Sequence, residues 1–274
     1  MKTRIISIAA IAAAICLLAG CSSNRNELVI LHLNDTHSHL DPLRDGSAGV
    51  LERAAYIDSV RRACGRNNVL LLHAGDAVQG SSYFPILGGD LETDLINALG
   101  YDCVTLGNHE FDNGLEELAR RLSRTKCPVV CANYDFSTFE AGKYITPYTI
   151  IRKAGRKIGI IGLDCDLSRV VSREIVDRIP ALNTLEVANK WAAYLKNEEK
   201  CDLVIALSHL GYANEPGVDD VELAAQTSDV DIVIGGHSHT YLEDATVITN
   251  ATGRQVPVVQ DGDWGRRVGK ITVK

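Results

Sequence analysis

The chain has 274 residues, with 28 basic and 35 acidic side chains and a formal net charge of −7. Hydrophobic residues make up 46% and charged residues 23%, values of a globular protein rather than of a disordered or fibrous one. The acidic balance and an aromatic content of 5% leave no basic, aromatic-rich surface of the kind that nucleic-acid binding needs, so no nucleic-acid partner is expected.

The first segment reads as a targeting signal, not as part of the fold. Lys2 and Arg4 form a short basic stretch, and Ile5 to Leu18 is an apolar run too short for a comfortable membrane span. The run ends in Leu18-Ala19-Gly20-Cys21, small residues before a cysteine, which is the form of a secretory signal. Its end resembles a bacterial lipoprotein cleavage box; a plain signal peptide or a short membrane anchor is the alternative. The lipoprotein resemblance implies that residues 1–20 are removed, that Cys21 carries lipid, and that residues 21–27 are a short tether. The protein would then be exported and anchored to a bacterial membrane through Cys21, facing the periplasm or the cell surface. Of the remaining cysteines, Cys103, Cys131, Cys165 and Cys201 lie in or beside apolar runs, and Cys64 and Cys127 complete the set. They show no metal-site spacing and read mostly as buried thiols, with one disulfide left open by export.

Five buried strands then follow in order, each ending in residues that can bind a metal. Leu28 to Leu33 precedes Asn34-Asp35-Thr36-His37, and Val69 to Leu72 precedes His73-Ala74-Gly75-Asp76. Asp102 to Leu106 precedes Gly107-Asn108-His109-Glu110-Phe111-Asp112, Asp202 to Leu207 precedes Ser208-His209, and Asp231 to Ile234 precedes Gly235-Gly236-His237-Ser238-His239. Helical spacing of apolar residues marks 51–62, 91–99, 114–124, 184–197 and 221–226 as helices, and Gly80 to Gly89 reads as a flexible loop. Pro128 to Ala132, Tyr144 to Arg152 and Lys157 to Leu163 read as further strands, and residues 247–272 as short strands with glycine turns. The alternation of strands and helices predicts an α/β class. In such sheets ligands bind at the carboxyl ends of the strands.

Apart from His73, which reads as part of its strand, five of the eight histidines fall at these strand ends. If the five strands share a sheet region, two carboxylates, one amide oxygen and four imidazoles besides His109 converge on one cleft. That is too many groups for one tetrahedral zinc. It suits two cations about 3.5–4 Å apart sharing a carboxylate, and mixed nitrogen and oxygen donors favour Mn, Zn, Fe or Co over Ca or Mg.

At this point the chain resembles the binuclear metallophosphatases, the calcineurin-like phosphoesterases, and within them the catalytic domain of bacterial and animal 5′-nucleotidases. The matching segments are NDTHSHL at 34–40, GDAVQGS at 75–81, LINALGYDCVTLGNHEFDNG at 95–114, SHLG at 208–211 and GGHSH at 235–239. They cover nearly all of residues 28–274, which the resemblance makes one catalytic domain: a four-layer αββα sandwich around two central mixed β-sheets. It implies that Asp35, His37, Asp76 and His239 hold one divalent metal ion and that Asp76, Asn108, His209 and His237 hold the second. His109, oriented by Asp112, would assist the leaving group as a metal-activated hydroxide attacks phosphorus. His32 and His39 match no ligand of the family, and His73 reads as a packed or surface residue.

The expected activity is metal-dependent phosphomonoester hydrolysis of the 5′-nucleotidase type, with a nucleotide phosphoester as the small-molecule partner. The nucleotidases carry a further, base-gripping domain, for which this sequence shows no segment. A separate chain could supply it, the substrate could be another phosphoester such as a nucleotide sugar or cyclic nucleotide, or the enzyme could be broadly tolerant. A sulfur-ester hydrolase on the same fold and a non-catalytic metal-binding lipoprotein are the readings from other classes.

Overall fold

A computed structural model describes residues 27–44 and 46–274; the predicted signal and Cys21 lie outside those residues. Among the described residues twelve strands form two six-stranded sheets. In the first sheet, β1 (Leu28–Leu33), β2 (Val69–Ala74), β3 (Cys103–Thr105), β4 (Val129–Val130) and β5 (Ile145–Thr146) run parallel in that order. The last strand of the chain, β12 (Gly269–Val273), lies antiparallel on the outer side of β1. The second sheet contains β6 (Tyr148–Lys153), β7 (Arg156–Asp164), β8 (Leu203–His209), β9 (Ile232–Ile234), β10 (Thr246–Thr249) and β11 (Gln255–Val259). Its order is β10-β11-β9-β8-β7-β6, parallel in the middle and antiparallel at both edges.

Strand alternation explains the layers, because successive side chains point to opposite faces. Leu28, Ile30, Leu70 and Leu72 face the second sheet and pack with Ile158, Ile160, Ile205 and Leu207. Val29, Leu31, Leu33 and Leu71 face outward. There they meet Ile57 and Val60 of α1 (Val50–Cys64) and Leu115 and Leu118 of α4 (Gly114–Leu122), with α3 (Asp90–Leu99) alongside through Ile96 and Leu99. The outer face of the second sheet is covered by Ala188, Ala192 and Leu195 of α6 (Thr184–Asn197) and Leu223 and Ala224 of α7 (Asp220–Gln226). The result is the expected helix–sheet–sheet–helix sandwich. Strands buried on both faces read as continuous apolar runs, which is why β1, β2 and β8 stood out in the sequence.

Three expectations change. Tyr144 to Arg152 is not one strand: Ile145–Thr146 closes the first sheet and Tyr148–Lys153 opens the second, divided by Pro147, which has no N–H for a ladder. The Gly80–Gly89 stretch contains a short helix, α2 (Tyr83–Leu87), pinned by buried Phe84. The five metal-capable strand ends also do not share one sheet. β1, β2 and β3 belong to the first, β8 and β9 to the second, and the cleft forms where the two sheets' carboxyl ends meet. One further short helix, α5 (Arg173–Val176), follows β7. All six described cysteines are free thiols, with Cys103, Cys131, Cys165 and Cys201 buried. Among the described residues no helix is long and apolar enough to cross a membrane.

Candidate metal centre

The turns after β1 and β2 and the turn after β9 carry most of the site, and their backbone is unusual. Asp35, His37, Asp76, His237 and His239 all have left-handed backbone, with φ of 48°, 48°, 54°, 72° and 54°. For residues with a side chain this conformation costs roughly 1–2 kcal/mol each, and strain of this kind gathers at functional sites. The turns hold one another in place: Asp35 N–H donates to Gly75 O and His37 N–H to Asp76 O, both at 3.0 Å. From the other sheet, His237 N–H donates to Asp35 Oδ2 at 3.0 Å, and Trp264 N–H to Asp35 O at 2.7 Å.

These constraints turn one oxygen of each aspartate toward the cleft, although Asp35 Oδ1 also shares the His237 N–H at 3.2 Å. Asp35 Oδ2 is occupied by His237 N–H and by the Asn34 amide at 2.6 Å. Asp35 Oδ1 then faces His239 Nε2 at 3.4 Å and His37 Nε2 at 3.7 Å. Asp76 Oδ1 accepts from His109 N–H at 2.9 Å, and its Oδ2 lies 3.1 Å from His209 Nε2 and 3.9 Å from His37 Nε2. Asn108 Oδ1 is 2.9 Å from His237 Nδ1. The donor atoms fall into overlapping groups: Asp35 with His37 and His239, Asp76 with His209 and His237, and His37 with Asp76 and His109. The structure thus brings all seven predicted ligands into one cleft, with Asp76 between the two sets.

Chemistry and charge both fit bound cations. Asp35 and His209 are fully buried and Asp76 is 2% exposed. His209 donates Nδ1–H to Ala74 O at 2.7 Å, which turns its buried Nε2 into the cleft toward Asp76 Oδ2 at 3.1 Å. The Nε2 atoms of His37 and His239 face each other at 2.9 Å, an arrangement that a shared cation satisfies. Burial would lower His209, but Asp76 and Asp35 outweigh it and push the imidazole well up. Burial would raise Asp76; His209 holds it below the usual carboxylate range. Burial, with His209 next, keeps His237 down at about 4, and burial likewise lowers His37. The lowered His237 and His37 are the neutral imidazoles that a metal requires, and a cation would displace the Nε2 proton of His209.

His109 is set apart from the ligands by its partner. Its Nδ1 lies 2.8 Å from Asp112 Oδ2, one helical turn on, and both side chains are about 30% exposed. Although burial opposes it, the bond to Asp112 raises His109 above its ordinary value. His109 therefore stands at the open side of the cleft, with its ring centroid 5.3 Å from that of His37.

Several supporting residues carried no separate signal in the sequence. Glu110 accepts from three backbone N–H groups, those of Asp76 at 3.0 Å, Ala77 at 2.9 Å and Gly107 at 2.6 Å, and so ties two turns of the cleft together. Asn34 links Asp35 to Gly262 O and accepts from Asp261 N–H. Both lie inside the motifs named above, beside the residues that drew attention. Gly107 and Gly236 allow the backbone to pass close: a Cβ at 107 would meet Asp76 and His209 Nε2, and one at 236 would meet Ala74 O and His209 Nδ1. His73 is buried against Thr36 Oγ1 at 3.0 Å, and His32 pairs with Asp261 at 3.0 Å. His39 stacks on Trp264 with centroids 4.4 Å apart. None of the three reaches the cleft's ligand groups.

Comparison with known proteins adds lineage to this geometry. Residues 28–241 match the family described as Calcineurin-like phosphoesterase. The snake venom 5′-nucleotidase of Naja atra is 34% identical over 279 residues, covering 90% of this chain and 50% of its own length. Among solved structures, the 5′-nucleotidase precursor of Thermus thermophilus superposes with a TM-score of 0.83 at 34% identity, covering 90% of this chain and 51% of its own. The Haemophilus influenzae NAD nucleotidase gives 0.79 at 32% identity, covering 90% and 47%. The chain spans about half the length of the curated relatives it matches.

Proposed function

The chain belongs to the calcineurin-like phosphoesterase family, and we propose that it is a two-cation phosphomonoester hydrolase acting on nucleotides, in the manner of a 5′-nucleotidase. The observation that carries this is the position of Asp76: its Oδ2 lies between two donor groups, and His109 with Asp112 flanks them. The family uses divalent metal ions. In our assignment Asp35, His37, Asp76 and His239 hold one, and Asp76, Asn108, His209 and His237 the other, with Mn, Zn, Fe and Co all suited to these donors. Bound cations neutralise phosphate charge and lower the pKa of water.

The protein's own residues do the rest. Asn34 and Glu110 hold the aspartate-bearing turns so that one oxygen of each carboxylate points inward. The sheets' carboxyl ends exclude water from one side and leave the side of His109 open. His109, kept protonated by Asp112, donates a proton to the oxygen of the departing nucleoside, a contribution of about 10²–10⁴-fold in rate. Support for a nucleotide substrate comes from the relatives, two of which are named for 5′-nucleotides and one for NAD. Lipid anchoring through Cys21, and hence export to the periplasm or cell surface, is part of the same proposal. So are residues 28–274 as one catalytic domain, with a separate base-gripping chain, another phosphoester substrate and broad tolerance as the competing accounts of specificity.

The test is phosphate release from AMP, NAD, UDP-glucose and an aryl phosphate by metal-loaded protein beginning at Ser22, with His109→Ala alongside. We expect AMP turnover that falls at least about a hundredfold in the variant while its metal content is kept. Metal-loaded protein that releases phosphate from none of the four would overturn the reading.

A further inference from the structure

A second cavity, of about 470 Å³, lies between α1 and the 261–270 segment leading into β12, with Tyr241 and Glu243 on one side. Its size is within the range of small-molecule sites, roughly 300–1,000 Å³. It shares no lining residue with the seven candidate ligands, His109 or Asp112.

The cavity is built around an arginine. Arg53 is 6% exposed. Its Nη2 donates to His39 O at 2.5 Å, but its buried Nε has no hydrogen-bond partner, and no carboxylate of the described residues forms an ion pair with it. Gly265, with φ of +64°, presses its backbone against this guanidinium where any side chain would collide. A buried charge without a counter-charge is unfavourable, and guanidinium is the side chain best suited to phosphate oxygens.

The rest of the lining matches a ligand with a flat ring. Tyr56 and Tyr241 are 41% and 45% exposed, and the Arg267 guanidinium lies over the Tyr241 ring at 3.6 Å. Arg267 and Lys270 are exposed at the cavity and unpaired with carboxylates among the described residues. Of the acids present, Asp261 is engaged by His32 at 3.0 Å, which leaves Glu52 and Glu243 against Arg53, Arg267 and Lys270. Stacking of a base on an aromatic side chain is worth about 1–3 kcal/mol in nucleotide sites.

We propose that this cavity binds a mononucleotide-type ligand, with its phosphate toward Arg53, Arg267 and Lys270 and its base against Tyr56. The site is independent of whatever the metal centre hydrolyses.

The test uses the metal-loaded protein and the phosphonate analogue of AMP, in which a methylene replaces the 5′ oxygen and no phosphoester remains to cleave. Isothermal titration should show two equivalents bound. A chelator should remove the equivalent at the metal centre and spare the other. The double variant Arg267→Ala/Lys270→Ala should lose the second equivalent and keep its turnover of an aryl phosphate, because neither side chain reaches the metal centre. Arg53→Met, if thermal unfolding shows it folded, should lose the same equivalent. Inorganic phosphate should bind there about tenfold or more weakly. The proposal fails if one equivalent binds and the chelator removes it, if the second survives Arg267→Ala/Lys270→Ala, or if inorganic phosphate binds as tightly as the analogue. A chelator-resistant equivalent without any at the metal centre would sustain it while counting against the nucleotidase reading.

Discussion

Replacing Glu110 with Gln should loosen the metal centre without removing a ligand. The Glu110 side chain is buried, and its two oxygens accept from the backbone N–H groups of Ala77 on one side and of Asp76 and Gly107 on the other. Glutamine keeps the shape but turns one oxygen into an NH₂ donor. In its better orientation the amide nitrogen faces Ala77 N–H, so one charge-assisted bond is lost and two donors meet. Hydrogen bonds to charged groups are worth about 1.5–3 kcal/mol, and a buried donor left without an acceptor costs about 1–3 kcal/mol. A loss of about 2–4 kcal/mol follows, or roughly 5–15 °C in Tm for a chain of this size. Circular dichroism melts with and without chelator would read the stability, and competition with a metallochromic dye would read metal affinity, which should fall because the Asp76 turn is no longer fixed. A Tm within about 1 °C of wild type, together with unchanged metal affinity, would refute the role given to Glu110.

Asp76→Ala should lose metal and activity together; full metal occupancy by elemental analysis would remove Asp76 from its shared position. Gly107→Ala has a diagnostic sign. Gly107 is not left-handed, with φ of −125°, so the change would ordinarily stabilise by about 0.4–1 kcal/mol. Here the added carbon meets Asp76 N and His209 Nε2, and urea unfolding should show a loss of about 1–3 kcal/mol instead. Asp220 supplies a pH test. It is fully buried, and burial raises its carboxyl from 3.8 to about 8, against the Ser208 hydrogen bond. A raised folded-state value means that stability is complete below about pH 4 and is lost as pH rises through about 8. Asp220→Asn should flatten the fall in urea-measured stability between these limits, by an amount on the order of a few kcal/mol at about 1.4 kcal/mol per pH unit. An unchanged pH slope would show that Asp220 titrates normally.

The parts of the site legible in the sequence were those whose meaning is local. A parallel strand buried on both faces is a continuous apolar run, so the residues just beyond it, such as Asp35, Asp76 and Asn108, could be placed at a strand end without knowing the rest of the fold. His109 and Asp112 were readable as a pair because one helical turn separates them. Glu110 was not readable in its supporting role, since two of its three donors are more than thirty residues away and become neighbours only when β2 and β3 pair. Pro147 falls inside a run that reads as one strand, and nothing nearby said that the chain changes sheets there. The division of the strand ends between two sheets was likewise invisible to periodicity, which reports burial and not the partner that buries. Arg53, within the helix expected at 51–62, carried no signal of its own, although it is almost wholly enclosed. The return of the 261–270 segment across α1 and the turn carrying His39 O enclose it.

The division of the strand ends bears on how the protein would behave when metal is scarce. Asp35, His37, Asp76 and Asn108 follow strands of the first sheet, and His209, His237 and His239 those of the second. A cation held by both sets would act as a clasp on the rim of the sandwich, and only the closed form would have the complete grip. Binding to the closed form alone adds about 4 kcal/mol of stability when free metal is about a thousandfold above its dissociation constant. Metal supply would thereby govern the protein's resistance to proteolysis as well as its turnover, with the first breach expected at this rim, where five left-handed residues are already under tension.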